Sequence, residues 1–258
     1  MNAHERHERI IQAVAQNRTL SVRRAIDLTG ASEITIRRDF TQLAGNGSVE
    51  RFRGGIGLLV GEKMSPFSFR KIRFSAEKAA IAKLAASRLK SGDTLFVDGG
   101  TTTCHLAGCI PDIPLSIFTN SLRFVEAMET RKTVSSRQEI HLTGGLLYPK
   151  SGLLVGPGVL QGLQKYHAKW AFISVGGITE QGLFNTNERV VEAERSMIRH
   201  ADQVVVLADH SKIGNYAMCA ICELDQVDTL ITDADPECST LLPRLQKAGI
   251  TVLHAGIA

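Results

Sequence analysis

The sequence predicts a two-part α/β protein, with a small N-terminal module of three helices and a β-hairpin followed by a larger domain on a mostly parallel sheet. Three observations predict it. Residues 1–57 carry three helical patterns and a glycine-centred hairpin signal. From Ala76 onward short apolar runs alternate with helical ones, the pattern of strands buried on both faces. Charge divides in the same way: residues 1–75 hold thirteen Lys and Arg against seven Asp and Glu, residues 76–258 seventeen against nineteen. A basic module on a near-neutral body suggests nucleic-acid binding at one end. The boundaries read as 1–57 for the module, 58–75 for a linker and 76–258 for the second domain.

Composition limits the class. At 258 residues, 43% hydrophobic and 22% charged, the chain has enough apolar matter for two cores. No run approaches the roughly 18 apolar residues of a membrane span, and MNAHERHERII lacks the apolar segment of a secretory signal. A cytoplasmic location is expected. Five cysteines, at 104, 109, 219, 222 and 238, form no disulfide framework in so large a chain and are expected to be reduced.

In the module, His7, Ile10, Ile11 and Val14 follow helical spacing over residues 4–16, and Asn17 is a stop. Thr19 to Ser21 is β-prone. Ser21 can cap a second helix with Val22, Ala25, Ile26 and Thr29 inward, and Gly30 ends it. Ser32 can then cap a third, SEITIRRDFTQL, whose inward face is Ile36, Phe40, Leu43 and Ala44. Two short helices joined by a tight glycine turn are a helix-turn-helix pattern, whose second helix enters the major groove with its N-terminal residues at the base edges. Ser32, Glu33, Ile34, Thr35, Arg37, Arg38 and Gln42 lie there. Arginine can bond guanine edges or phosphates, Thr and Gln bases or backbone, and Ile34 a thymine methyl. The following SVERFRGGIGLL reads as strand, glycine turn, strand. This is a wing that offers Arg51 and Arg53 to the DNA backbone or minor groove.

SEITIRRDF, the glycine-rich break and RFRGG together resemble the winged helix-turn-helix of the DeoR family of bacterial sugar-metabolism regulators. The family typically has IRRDL; here Phe40 keeps the apolar role. Residues 58–75 show no clean period, and their cluster Arg70, Lys71 and Arg73 suits either DNA contact or simple solvation.

In the second domain helices are expected at residues 76–90, 103–110, 121–129, 156–165, 189–200 and 237–248, and strands at 94–97, 115–118, 140–142, 170–175, 204–208, 229–231 and 251–253. Small and polar residues gather where the strands end: DGGTTT (98–103), TNS (119–121), TGG (143–145), GGI (176–178), ADHSK (208–212) and TDAD (232–235). Ligands bind beyond the carboxyl ends of such strands. In DGGTTT, glycines let backbone approach an anion, hydroxyls donate, and a helix N-terminus adds partial positive charge. Asp98 suits a sugar hydroxyl, and Lys212 can balance a phosphate.

EKAAIAKLAA, GDTLFVDGGTTT, IFTNSL, LTGG, FISVGGI, MIRHADQVVVLADHSKIG and LITDA, in that order, resemble the effector domain of DeoR-type repressors. That resemblance implies a fold similar to ribose-5-phosphate isomerase and coenzyme A transferases, and a phosphorylated sugar or related metabolite as effector. The matching ligand-facing positions are Asp98, Gly100, Thr101, Thr102, Thr103, Asn120, Ser121, Gly144, Gly145 and Lys212.

A sugar-phosphate isomerase needs a carboxylate base at the substrate carbon. Isomerases of this fold carry acidic residues in a DGAD-like segment, where this chain has VGGIT (175–179). The base is expected to be missing, and Glu188, Glu192 and Glu194 are expected on a solvated helix face. Glu194 stands where the family commonly has a lysine, and no role is assigned to it. Cys219 and Cys222 form one CxxC without a partner pair, so no zinc or redox site is expected. Asp209, His210 and Ser211 look like a triad only in sequence; Trp170 reads as a strand residue. The reading is a DNA-binding transcriptional repressor without metal or cofactor, acting on double-stranded operator DNA as a homodimer or higher oligomer and relieved by a sugar phosphate. The alternatives are an activator of such an operon and an isomerase-like enzyme with a DNA-binding appendage.

Overall fold

The computed structural model describes residues 1–45, 49–57, 67–131, 137–148, 151–236 and 239–256. They form two compact units, Met1–Ser75 and Ala76–Ala258. No helix among the described residues is long and apolar enough to cross a membrane.

The first unit begins with α1 (Ala3–Asn17), started by a capping box in which Asn2 and Glu5 satisfy each other's amides. Arg18 closes it in the left-handed region, at φ 64°. Strand β1 (Thr19–Ser21) leads into α2 (Val22–Thr29), where Ser21 Oγ accepts the Arg24 amide. Gly30, at φ 69°, ends α2 by donating its amide to the Ile26 carbonyl. Helix α3 (Glu33–Gly45) follows within three residues. β2 (Glu50–Phe52) and β3 (Gly55–Gly57) form the wing, with β1 completing a three-stranded antiparallel sheet in the order β1-β3-β2. Gly55 is required there: a Cβ would lie 2.6 Å from the Leu20 carbonyl and 2.8 Å from the Phe52 ring.

One expectation fails in this unit. Residues 58–66 of the expected linker lie outside the described residues, but Phe67–Ile72 form a helix, α4. Its Phe69 is buried in the same core as Ile10, Val14, Ile36, Phe40 and Ile56. One anchored aromatic is worth about 1.5–3 kcal/mol, enough to hold a short helix that has little stability alone.

The second unit starts with α5 (Ser75–Ala86) and is built on seven parallel strands. These are β4 (Asp93–Val97), β5 (Leu115–Thr119), β6 (Gln138–Leu142), β9 (Ala168–Ser174), β12 (Ala201–Leu207), β14 (Thr229–Thr232) and β15 (Thr251–His254). Every expected strand is present. Helices α6 (Thr101–Leu106), α7 (Leu122–Glu129), α8 (Pro157–Leu163), α9 (Glu188–Arg199) and α10 (Leu242–Lys247) connect or flank them. α5 and α6 end four residues earlier than expected, and α10 starts five residues later. Pro157 and Pro243 sit in first turns, where a missing N–H costs nothing, and so fix the starts of α8 and α10. Residues 237–238 of the sixth expected helix lie outside the described residues.

Five strands were not expected. β7 (Leu146–Tyr148) and β8 (Leu153–Val155) form a hairpin, and β10 (Gly177–Thr179), β11 (Gly182–Asn185) and β13 (Cys219–Cys222) form a small antiparallel sheet. Each spans three or four residues, too few for an alternation to show, and β13 joins its sheet only by long-range pairing.

The sheet order β15-β14-β12-β9-β4-β5-β6 is doubly wound. From β4 the chain steps outward through β5 to β6, then returns to β9 and steps the other way. The direction reverses between β4 and β9, and a crevice at the carboxyl ends of that pair is where such sheets bind ligands.

Candidate nucleic-acid interface and ligand site

Helix α3 turns Ile36, Asp39, Phe40 and Leu43 inward. The opposite face carries Ser32, Glu33, Ile34, Arg37, Arg38, Thr41 and Gln42, all exposed, with Thr35 half-buried beside Ser32 Oγ. Ile34 is 82% exposed, an apolar side chain set among the polar ones of this face. Glu33 holds Arg37 in an exposed i,i+4 pair at 2.7 Å. The guanidinium groups of Arg38 and Arg53 make no hydrogen bond to a described residue. Arg51 of the wing donates to Thr41 Oγ1 at 2.8 Å, and Thr41 donates to the Arg37 carbonyl. Wing and helix thus form one continuous polar surface.

Asp39 was missed as a site residue. It is 3% exposed and accepts Arg6 Nε at 2.5 Å and His7 Nε2 at 2.9 Å from α1. Burial pushes its carboxyl up, but the bonds from Arg6 and His7 outweigh this and hold it below the usual carboxylate range. A charged residue three positions from Ile36 and four from Leu43 was the available signal, because that spacing belongs to the inward face.

The second site lies at the β4/β9 switch point. Asp98 follows β4 and is 2% exposed. Its Oδ2 accepts the Ser174 hydroxyl at 2.6 Å and the Ser174 amide at 3.2 Å, across from the end of β9. Burial raises its pKa despite these bonds and those from the Gly99 and Gly100 amides. Asp98 is therefore not the open acceptor for a sugar hydroxyl that its place in the sequence suggests. Gly100 caps α6 without a side chain, and a Cβ there would lie 1.6 Å from Ser174 Oγ. Thr101 and Thr102 open α6, nearly buried; Thr103 is fully buried and gives its hydroxyl to the Gly100 carbonyl. Of the three expected hydroxyl donors, Thr103 is thus already committed.

Asn120 follows β5 and is fully buried, its Nδ2 donating to the Leu154 carbonyl. Ser121 accepts the Phe124 amide as the cap of α7, so its hydroxyl positions a helix. Gly144 and Gly145 follow β6 with φ 72° and 113°; a Cβ on Gly145 would lie 2.8 Å from the Val159 side chain, making it a packing position. Lys212 follows β12 in a 3-10 turn, half-buried, with no hydrogen bond from its ammonium to a described residue. Strands β6 and β12 each lie two places from β4 or β9 or nearer, so at strand level the residues spread over about 19 Å. Asp98, Gly100, Thr101, Thr102 and Asn120 cluster at the switch point; Gly144 with Gly145, and Lys212, stand at the two ends.

Two groups were not foreseen. Lys78 of α5 is 3% exposed and 3.8 Å from Asp209 Oδ2 in the ADHSK loop. Its spacing to Ile81 and Ala82 placed it on the inward face. Glu194 is fully buried, not on the solvated face expected for it, whereas Glu188 and Glu192 are exposed. Residue 194 belongs to the inward stripe of α9 with Val190, Val191 and Met197. Burial and then Asp98 push its carboxyl well above the usual range.

The remaining candidates resolve simply. His210 pairs with Asp233 at 2.6 Å while Ser211 donates to Asp209, so the apparent triad is two separate pairs. Burial pushes the Cys222 thiol up to about 12, which leaves almost no thiolate near neutrality. Trp170 is buried in β9, with Nε1 donating to Asp93 at 2.9 Å.

Residues 6–60 match the DeoR-like helix-turn-helix domain, and residues 73–234 match the DeoR C terminal sensor domain. The chain belongs to the DeoR family. The HTH-type transcriptional repressor GlcR of Bacillus subtilis (strain 168) is 32% identical over 98% of this chain and 96% of its own. The glycerol-3-phosphate regulon repressor of Escherichia coli (strain K12) is 30% identical over 93% of this chain and 95% of its own. The DeoR-family chain is thus a transcriptional regulator with an N-terminal helix-turn-helix and a C-terminal sensor. Among solved structures, ribose 5-phosphate isomerase from Methanocaldococcus jannaschii aligns over 54% of this chain and 55% of its own, at 16% identity and a TM-score of 0.37. A likeness at that level carries no argument about chemistry.

Proposed function

We propose that this DeoR-family regulator is a repressor of a carbohydrate-use operon, whose hold on operator DNA is released when a phosphorylated sugar occupies the switch-point crevice. The observation that carries the reading is one chain holding both an exposed helix face with Ile34, Arg37 and Arg38, braced from behind by Asp39, and a doubly wound sheet whose switch point gathers Asp98, Gly100 and Thr102. Ser32, Glu33, Ile34, Thr35, Arg37, Arg38 and Gln42 face the major groove, and Arg51 and Arg53 the flanking backbone. The Gly100–Thr102 backbone and Lys212 take the phosphate; Asn120 orients the sugar. Relatives named as repressors, one of them of a glycerol-3-phosphate regulon, support both sign and effector class.

The protein acts as a homodimer or higher oligomer in the cytoplasm, because one helix and wing offer little area on DNA and a second copy doubles it. It acts as a regulator rather than an enzyme, a reading supported by relatives matched over more than nine-tenths of their own length and named as repressors. Release needs only differential affinity of the sugar for the two states. A thirtyfold change in DNA affinity corresponds to about 2 kcal/mol. A reporter driven from the promoter beside the protein's own gene tests the sign. Expression rises when the gene is deleted and falls when it is restored; a fall on deletion makes the protein an activator.

A further inference from the structure

Two buried acceptors at the carboxyl end of the parallel sheet have no donor among the described residues. Glu194 Oε1 takes the Asn185 Nδ2–H at 2.5 Å, but Oε2, equally buried, has no hydrogen-bond partner. Asn120 spends its amide on the Leu154 carbonyl, and its Oδ1 has no partner either. Native interiors seldom leave such atoms bare unless something else supplies the donor. The two residues come from different elements, α9 and the β5 loop, so no single local distortion accounts for both.

Glu194 Oε2 lacks a donor among the described residues, and the donor that suits a carboxyl best is a charged one. No described Lys, Arg or His lies within ion-pair distance of its carboxyl. Arg195, next in sequence, sends its guanidinium to the carbonyls of Ile221 and Ala220, and Lys78 faces Asp209. Asp98 is an acceptor like Glu194 and already takes its donors from Ser174, Gly99 and Gly100, so it offers Oε2 nothing. A hydroxyl would give Glu194 Oε2 a neutral bond, the weaker of the two kinds. An ammonium supplies the bond together with a charge opposite to that of the ionised carboxylate, in surroundings where charge-assisted bonds are strongest.

We propose that the effector is an amino sugar phosphate whose ammonium is bound by Glu194 Oε2, with Asn120 Oδ1 accepting a ring hydroxyl. The proposal rests on the reading that a phosphorylated sugar occupies the switch-point crevice. Glu194 is then the residue that selects aminated over fully hydroxylated sugars. Asn185, which holds Oε1, backs onto Gly176, and the Ala217 side chain lies over that glycine. Entry of a ligand to Glu194 then requires the stretch at residues 214–218, packed against Gly176, to move aside. Burial raises the Glu194 carboxyl above its usual range. An ammonium at Oε2 acts the other way and favours the ionised form, so a proton held there passes to the buffer.

The test is calorimetric titration of the full-length protein with matched pairs of 2-amino-2-deoxyhexose 6-phosphates and hexose 6-phosphates of gluco, galacto and manno configuration, in two buffers of different ionisation enthalpy. One amino compound should bind at least tenfold more tightly than its hydroxyl counterpart, with net proton release. Glu194→Gln keeps the shape, and should remove both the preference and the proton release while phosphate-dependent binding persists. Equal or tighter binding of the hydroxyl sugar, or a preference that survives in Glu194→Gln, overturns the ammonium assignment and leaves the sugar-phosphate reading standing. Binding of no member of the panel overturns both.

Discussion

Arg6 Nε lies 2.5 Å from Asp39 Oδ2 and its terminal nitrogen 3.1 Å from Oδ1, so the first helix grips the third from behind. The two arginines before Asp39 face out and the aspartate faces in, which makes the RRD run two devices in one. Asp39→Asn should cost about 3 kcal/mol of stability in the first unit, because it leaves Arg6 with no ionic partner in a nearly buried place. Urea denaturation measures it. A loss below about 0.5 kcal/mol, the scale of an ordinary surface change, would make the pair ornamental.

Acid should weaken the same pair. The folded-state pKa of Asp39 is depressed, so its contribution is complete above the usual carboxylate pKa near 3.9 and is lost as pH falls through the lowered value. Asp93, likewise lowered against its own burial by Lys169, Trp170 and the Lys90 amide, acts in the same direction at the foot of β4. Glu194 opposes it. With a raised folded pKa, it favours the native state below the usual glutamate value and loses that contribution as pH rises. In Glu194→Gln, stability should decline less between mildly acidic and neutral pH than in the parent, as read by denaturant midpoints across that range.

Arg38 has no described partner to lose. Arg38→Ala should therefore leave the melting temperature unchanged while lowering specific operator affinity by about tenfold or more, the worth of one good base or phosphate contact. Arg37→Ala removes an exposed ion pair worth under about 1 kcal/mol and should be similarly harmless to stability. Competition binding at fixed salt separates a loss of specificity from a uniform loss of affinity.

Gly100→Ala should disable the sensor without touching the DNA-binding surface. The added methyl would collide with Ser174 Oγ, and the Ser174–Asp98 bond that closes the switch point must break or shift. A stability cost of about 1–3 kcal/mol is expected, together with repression that no longer responds to sugar phosphate. Normal induction in this variant would remove the DGGTTT loop from the ligand site.

Much of this was legible in the sequence, and the failures share causes. All seven parallel strands stood out because strands buried on both faces are continuous apolar runs, and the helix-turn-helix because Ser21, Gly30 and Ser32 punctuate it at fixed offsets. Strands of three residues such as β7 and β10 carry no period, so they stayed hidden. Phe69 lay in a basic stretch read as linker, since six residues, FSFRKI, are too few to show a helical period. The loops at the strand ends, proposed for the ligand, were readable as small-residue clusters, but the direction of each polar atom was not. Sequence could not show that Thr103 and Ser121 use their hydroxyls locally, or that Asp98 turns to Ser174. Glu194 and Asp39 were readable in principle, as charged residues at inward helical spacing. The general expectation that charges face solvent overrode the spacing.

The most direct measurement is fluorescence anisotropy on DNA from beside the protein's own gene, at stated salt, with and without a panel of sugar phosphates including the amino sugars. The account predicts tight, competitor-resistant binding that one of these compounds weakens by tenfold or more. Binding that is only nonspecific and salt-sensitive, and that no sugar phosphate alters, would contradict it.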